Sequence, residues 1–236
     1  MKPIAIFRHS PGEGPGYFAT FLDRHSLPWT LFKIDEGVAP PPTPEEFSGL
    51  CFMGGPMSAN DDLPWIPQTL ELIRLADAED IPVIGHCLGA QLMAKAFGGS
   101  VTANPVKEIG WGAVEATAAA TQLANEWLGG STRFEAFHWH GETFTLPPGA
   151  TRILQSPYCA NQAFVRGPHL ALQCHVEMTD SMIRAWSLHW AAENAQPSAS
   201  VQTPTQMQTD MESRITTMRA VADSLYARWI RGLISP

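Results

Sequence analysis

Apolar residues in the first hundred positions follow two alternating patterns: short unbroken blocks, and segments where they recur every three or four residues. The first block, residues 3–8, runs into a Gly/Pro-rich turn from Ser10 to Gly16. Phe18, Phe21 and Leu22 then share one side of a helix. Blocks at 29–34 and 50–53 predict two more strands, separated by a proline-rich loop at 38–44 in which Thr43 or Pro44 opens a short helical turn; the second block ends at Gly54-Gly55-Pro56. Residues 66–78 read as a helix with Leu70, Ile73 and Ala76 or Asp77 on successive turns. Residues 82–86 read as a buried strand leading straight into Cys87, and 88–97 as a helix stopped by Gly98-Gly99. Strand alternating with helix is the pattern of an α/β fold, a parallel sheet covered by helices. Residues 101–175 read instead as short strands and turns, which extend the sheet with antiparallel strands.

A further helix is predicted at 181–192. Residues 196–208 are polar and without apolar period, so they read as a linker that carries no core. Beyond it, Met211, Ile215, Met218, Ala222, Leu225, Trp229 and Leu233 recur at spacings of three and four over 210–233. That stripe has to be covered, and the helix is expected to cap its own domain, or a neighbouring subunit, close to the mouth of the site. The predicted organisation is a domain at 1–195, a linker at 196–209 and a C-terminal amphipathic helix at 210–236.

Composition narrows the classes. With 236 residues, 44% apolar and 16% charged, the chain suits one globular domain with an appendage. Fifteen Lys+Arg against 23 Asp+Glu give a formal charge of −8, which argues against nucleic acid and anionic membranes as partners. No apolar run is long enough to span a membrane, and the apolar part of residues 1–8 is too short for a signal peptide, so a cytoplasmic location is expected. Four cysteines (Cys51, Cys87, Cys159 and Cys174) form no CxxC pair, against a disulfide framework or a structural zinc site.

Three segments carry chemistry. In Gly85-His86-Cys87-Leu88-Gly89-Ala90-Gln91 a buried strand turns through small residues into a helix, the setting of a nucleophile elbow. The helix N-terminus favours a thiolate at Cys87, and the backbone N–H that follows is aimed at a developing oxyanion. A buried, inert cysteine in a Gly-rich turn is the plain alternative. In Leu172-Gln173-Cys174-His175-Val176-Glu177 an apolar strand delivers a histidine with a carboxylate two residues on, a base and its orienting acceptor. Cys174 points to the other face of that strand, and it and Cys51 read as core. Met53-Gly54-Gly55-Pro56-Met57-Ser58 follows a strand and is either a turn or a second oxyanion donor.

These segments, in this order and together with Glu108-Ile109-Gly110-Trp111, resemble the class I glutamine amidotransferases over about residues 3–190. The closest likeness is to stand-alone members related to the amidotransferase domain of GMP synthase. The resemblance implies a flavodoxin-like sheet, mainly parallel with an antiparallel extension and helices on both faces. It also implies a triad of Cys87 as nucleophile, His175 as base and Glu177 as orienter, with oxyanion donors at Gly55 and Leu88 and with Gln91 on the glutamine. The family's usual His-Pro-Glu is His175-Val176-Glu177 here, with the spacing kept. The stretch Phe137-His138-Trp139-His140-Gly141-Glu142 falls where the family's backbone holds the substrate carboxylate. Trp139 replaces a small hydroxyl residue there, which makes Trp139 and His140 candidate substrate contacts and leaves two alternatives: a γ-glutamyl compound larger than glutamine, or a partly filled pocket. His138 and His140 also have the look of metal ligands. A polar aromatic rim accounts for them as well, and no third ligand is suggested.

The chemistry implied is attack on a γ-glutamyl amide, a γ-glutamyl thioester and its hydrolysis, with no metal or other cofactor. Three functions remain open: a glutaminase feeding ammonia to a synthase, a free-standing γ-glutamyl hydrolase or peptidase, and a silent binding protein that kept the fold. The roughly 45 residues after the helix at 181–192 are too few for an ATP-binding domain, so a synthase is expected on a separate chain. A homo-oligomer is a further candidate arrangement.

Overall fold

The computed structural model describes residues 1–190 and 196–233. Its first half follows the predicted alternation: β1 (Ile4–Arg8), α1 (Gly16–Arg24), β2 (Trp29–Lys33), β3 (Gly49–Phe52), α2 (Trp65–Ala78), β4 (Val83–His86) and α3 (Leu88–Ala96). Then come β5 (Val101–Ala116), α4 (Thr121–Leu128), β6 (Arg133–Phe144), β7 (Thr151–Gln155), β8 (Ala163–Arg166) and β9 (His169–Leu172). The described chain closes with α5 (Asp180–His189), α6 (Pro204–Gln208) and α7 (Met211–Trp229). The end of the helix expected at 181–192, and the domain boundary at 195, lie outside the described residues.

The strands form one sheet in the order β2-β1-β3-β4-β9-β8-β7-β5-β6. The pairs from β2 to β9 are parallel and those from β9 to β6 antiparallel. The inner parallel strands β1, β3, β4 and β9 are mostly apolar because both their faces are covered, while the edge strand β2 carries Thr30 and Lys33 and is only partly buried. On β1, Ile4 and Ile6 join the core under α1, α4, α5 and α7, while Ala5 and Phe7 join the core under α2 and α3. None of the described helices is long and apolar enough to cross a membrane.

The middle of the chain departs from its pattern. Instead of short strands, β5 has 16 residues and β6 has 12. Asn104-Pro105 and two glycines break the alternation of β5, and its register with β6 shifts between Ala103 and Glu108, so the strand continues through an irregularity. Helix α4 was not predicted; it buries Ala124, Trp127 and Leu128 at three- and four-residue spacing.

The segment at 196–208 does carry core. Val201 and Met207 are buried, Gln202 brackets Trp111 by accepting from its N–H at 2.8 Å and donating to its carbonyl at 3.2 Å, and a capping box on Thr203 and Gln206 opens α6. Helix α7 is expected close to the mouth of the site, but no residue of it lines the cavity over Cys87. Its stripe is covered by its own domain: Tyr226 and Trp229 pack edge-on against Phe18 of α1, with ring centroids 4.8 and 5.7 Å away.

Candidate active site

Cys87 lies between β4 and α3 with φ 51° and ψ −107°, a left-handed conformation rare for a non-glycine residue. Its N–H donates to Leu172 O at 2.7 Å, tying the elbow to the end of β9. The bend is tight: a Cβ at Gly85 would sit 2.5 Å from the Gly89 carbonyl carbon, and one at Gly89 would strike the Phe52 backbone. Small residues at 85 and 89 thus let the helix close onto the strand and lift the thiol to the sheet's edge. The Cys87 thiol is 3.8 Å from Trp139 O and receives an N–H from Gln173 Nε2 at 3.6 Å.

His175 and Glu177 come from the segment after β9. The Nδ1 of His175 is 2.6 Å from Glu177 Oε1, with both side chains almost wholly buried. The His175 Nε2 has no hydrogen-bond partner among the described residues, so this nitrogen is left for proton transfer. Burial alone would lower the His175 pKa, but Glu177 and Cys87 outweigh it and hold the imidazole well above its usual range. Burial likewise works to raise Glu177, yet His175 and His86 keep it below the usual carboxylate range. A protonated imidazole beside a thiol favours thiolate and supplies an acid for a leaving amine. The other cysteines sit in environments that suppress ionisation: burial pushes Cys51, Cys159 and Cys174 up.

A cavity of about 390 Å³ opens over Cys87. Gly55 and Leu88 meet at its edge, since a Cβ on Gly55 would lie 2.8 Å from Leu88 Cδ2. Leu88 opens α3, where backbone N–H groups have no helical acceptor. Gln91 lines the cavity and donates to Gln173 Oε1 at 3.1 Å. Trp139 also lines it, and its buried Nε1 has no partner among the described residues. His140 reaches the wall, but its Nε2 is 3.1 Å from Glu108 Oε2 and its Nδ1 is 3.0 Å from Glu142 O.

The metal reading of His138 and His140 changes partners. The structure groups His140 with Glu108 and Cys159, ligand atoms within 4.8 Å of one another. Hydrogen bonds from Ser156 and Gln162 to Glu108, at 2.8 and 2.7 Å, join the His140 contact in binding this cluster together. His138 is buried, and that burial pushes its pKa down to about 4.

Several site residues escaped the sequence reading. Gln173, just past the end of β9, carries no signal of its own in the sequence. Glu13, from the β1–α1 turn, lines the cavity with Trp186 and Trp190 of the α5 region. His86 lies behind the triad, with Nε2 3.9 Å from Glu177 Oε2 and 3.1 Å from the Tyr226 hydroxyl on α7. Only Trp186 carried a local signal, an aromatic on the buried side of a predicted helix.

The chain is similar to several known proteins. The solved glutamine amidotransferase of Methylobacillus flagellatus superposes with a TM-score of 0.95 at 45% identity, covering 100% of this chain and 97% of that one. The glutamine amidotransferase-like protein YfeJ of Salmonella typhimurium is 30% identical over 193 residues, 79% of this chain and 80% of its own. Gamma-glutamyl peptidase 3 of Arabidopsis thaliana is 26% identical over 178 residues, 71% of each chain, and bacterial GMP synthases match over a smaller part of their length. The family model for class I glutamine amidotransferases matches residues 25–185. With a Cys-His-Glu arrangement at the sheet's edge and these relatives, the chain belongs to the class I glutamine amidotransferases.

Proposed function

We propose that the chain hydrolyses γ-glutamyl amides, glutamine being the simplest, through Cys87, His175 and Glu177. The observation that carries this is the strained Cys87 elbow beside a His175–Glu177 pair at 2.6 Å. Cys87 Sγ attacks the γ-carbonyl, and the oxyanion is met by the N–H groups of Gly55 and Leu88. His175 Nε2 gives its proton to the leaving nitrogen as the C–N bond breaks, and a γ-glutamyl thioester remains. Water, losing a proton to the same nitrogen, attacks the thioester and releases glutamate and the thiol. Gln91 and the Trp139 backbone hold the glutamyl part, with Trp139 and His140 forming its far wall. The reaction calls for no metal or other cofactor.

Free glutamine as substrate would make the chain an ammonia source for a synthase on a separate chain. The aromatic walls of the cavity favour a second reading, a free-standing hydrolase of larger γ-glutamyl compounds, and the similarity to a γ-glutamyl peptidase supports it. The four free cysteines suit the reducing cytoplasm. The purified protein should release glutamate from glutamine or from a γ-glutamyl amide. Release from none of them, or equal release by Cys87→Ala, would overturn the proposal.

A further inference from the structure

Sheet order separates two sides of the catalytic cavity. Trp139 and His140 stand on β6, at the far antiparallel edge, while Glu13 follows β1 and Gly55 follows β3 on the other side of Cys87. Glu13 is also beside the base. A Cβ at Gly54 would collide with the Glu13 carboxyl and would lie 3.3 Å from His175 Cε1, so carboxyl and imidazole converge there. The group next to His175 is the leaving nitrogen, so Glu13 lies on the leaving-group side.

Glu13 is 5% exposed, and its carboxyl makes no hydrogen bond or ion pair among the described residues. Burial pushes its pKa up to about 7, with His175 lowering it and Glu177 raising it. His175, the cation that acts on the Glu13 carboxyl, is already paired with Glu177 at 2.6 Å. A buried carboxylate in that state is costly, and an ammonium beside it offsets the cost. Next to it, Trp186 and Trp190 meet at 5.0 Å between ring centroids, and Trp186 Nε1 is fixed at 2.8 Å to Gly12 O, on the same turn as Glu13. Among the described residues no arginine or lysine lies over either ring, although arginines lie over Tyr17, Trp111 and Trp127 elsewhere; the His175 imidazole meets Trp186 edge-on, with ring centroids 5.0 Å apart. A buried carboxylate with indole walls is the chemistry that recognises alkylammonium groups. Ammonia, the leaving group from glutamine, has no use for it.

We propose that Glu13, Trp186 and Trp190 form a leaving-group subsite for an alkylammonium, so that the preferred substrates are γ-glutamyl monoamides of diamines. The inference rests on the hydrolase reading above. The thiolate of Cys87 forms an S–C bond to the γ-carbonyl as the amide C–N bond breaks. His175 protonates that nitrogen, and the diamine departs with its distal ammonium still paired to Glu13. Water then cleaves the thioester.

The test compares two substrates of equal length at pH 8: the γ-glutamyl monoamide of 1,4-diaminobutane, and neutral γ-glutamyl butylamide. The native protein should favour the charged one by about tenfold in kcat/KM. Glu13→Gln should bring that ratio to near one, and should weaken binding of free 1,4-diaminobutane, read from indole fluorescence, by about tenfold. Equal kcat/KM for the two substrates in the native protein, or a ratio unchanged by Glu13→Gln, overturns the subsite while leaving the hydrolase reading intact. Turnover of neither substrate, nor of glutamine, overturns the hydrolase reading; diamine binding by the native protein then decides the subsite. If Glu13→Gln does not fold, the native ratio alone decides.

Discussion

Glu177→Gln keeps the shape of the side chain and a hydrogen bond to His175, and removes only the charge. The pair it disturbs is 2.6 Å apart, with side chains 1% and 2% exposed. Removing one member of a buried pair costs about 3–5 kcal/mol. Because the amide retains part of the bond, ~3 kcal/mol is the working figure. Felt fully in the transition state, where His175 handles its proton, that is a loss of roughly a hundredfold in kcat/KM. His175→Ala, which deletes the base, should lose roughly another hundredfold. The same pair sets a pH dependence of stability. His175 has its folded pKa raised above the ordinary 6.5, so its contribution is full below 6.5 and is lost as pH rises through the folded value. Glu177 has its pKa lowered below the ordinary 4.5, so its contribution is present above 4.5 and is lost as pH falls through the folded value. The difference in melting temperature between the native protein and Glu177→Gln should therefore be greatest between these limits and shrink toward both ends. Glutamate release and thermal melting across pH 4–9 measure both effects. Activity within twofold of native, together with a difference in melting temperature that does not vary with pH, would refute the role given to Glu177.

Cys87→Ala should abolish glutamate release with the melting temperature little changed, while Cys51→Ala, Cys159→Ala and Cys174→Ala should keep most of the activity. Iodoacetamide should label Cys87 first in the folded protein, since Cys87 lines the cavity while burial holds the other thiols protonated. Tyr226→Phe removes the hydroxyl 3.1 Å from His86 and strands a buried ring nitrogen, so it should cost ~1–2 kcal/mol and lower the melting temperature by roughly 2–8 °C. Trp229→Ala empties a site walled by Phe18 and Gly49; at ~3–5 kcal/mol it should lower the melting temperature by roughly 10 °C, and unchanged melting would mean that α7 contributes little to the core.

What the sequence disclosed was local. β1, β3 and β4 are apolar blocks whose neighbours along the chain end them, and the Cys87 elbow and the His175-x-Glu177 spacing each fit inside seven residues. What stayed hidden depends on contacts across the chain. Glu13 sits in a turn whose glycines and prolines announce only a loop, and what surrounds that turn, Gly54, His175 and the Trp186 indole bonded to Gly12, comes from far along the sequence. His140 looked like half of a metal pair because its partner, Glu108, is brought in by the pairing of β5 with β6. Met207 and Val201 are single apolar residues in a polar stretch, where no period forms, yet each fills a place that the sheet and α7 leave open.

The link from Tyr226 through His86 to Glu177 has a consequence for how the enzyme comes into being. A ribosome delivers Cys87, His175 and Glu177 well before Tyr226, which stands 140 positions after the histidine that it holds. A chain cut short or still being synthesised therefore owns every reacting atom but lacks the last strut behind them. The packing behind Glu177 is therefore finished only once α7 has been made, and a copy that stops short of Tyr226 leaves the buried His86 Nε2 without that hydroxyl.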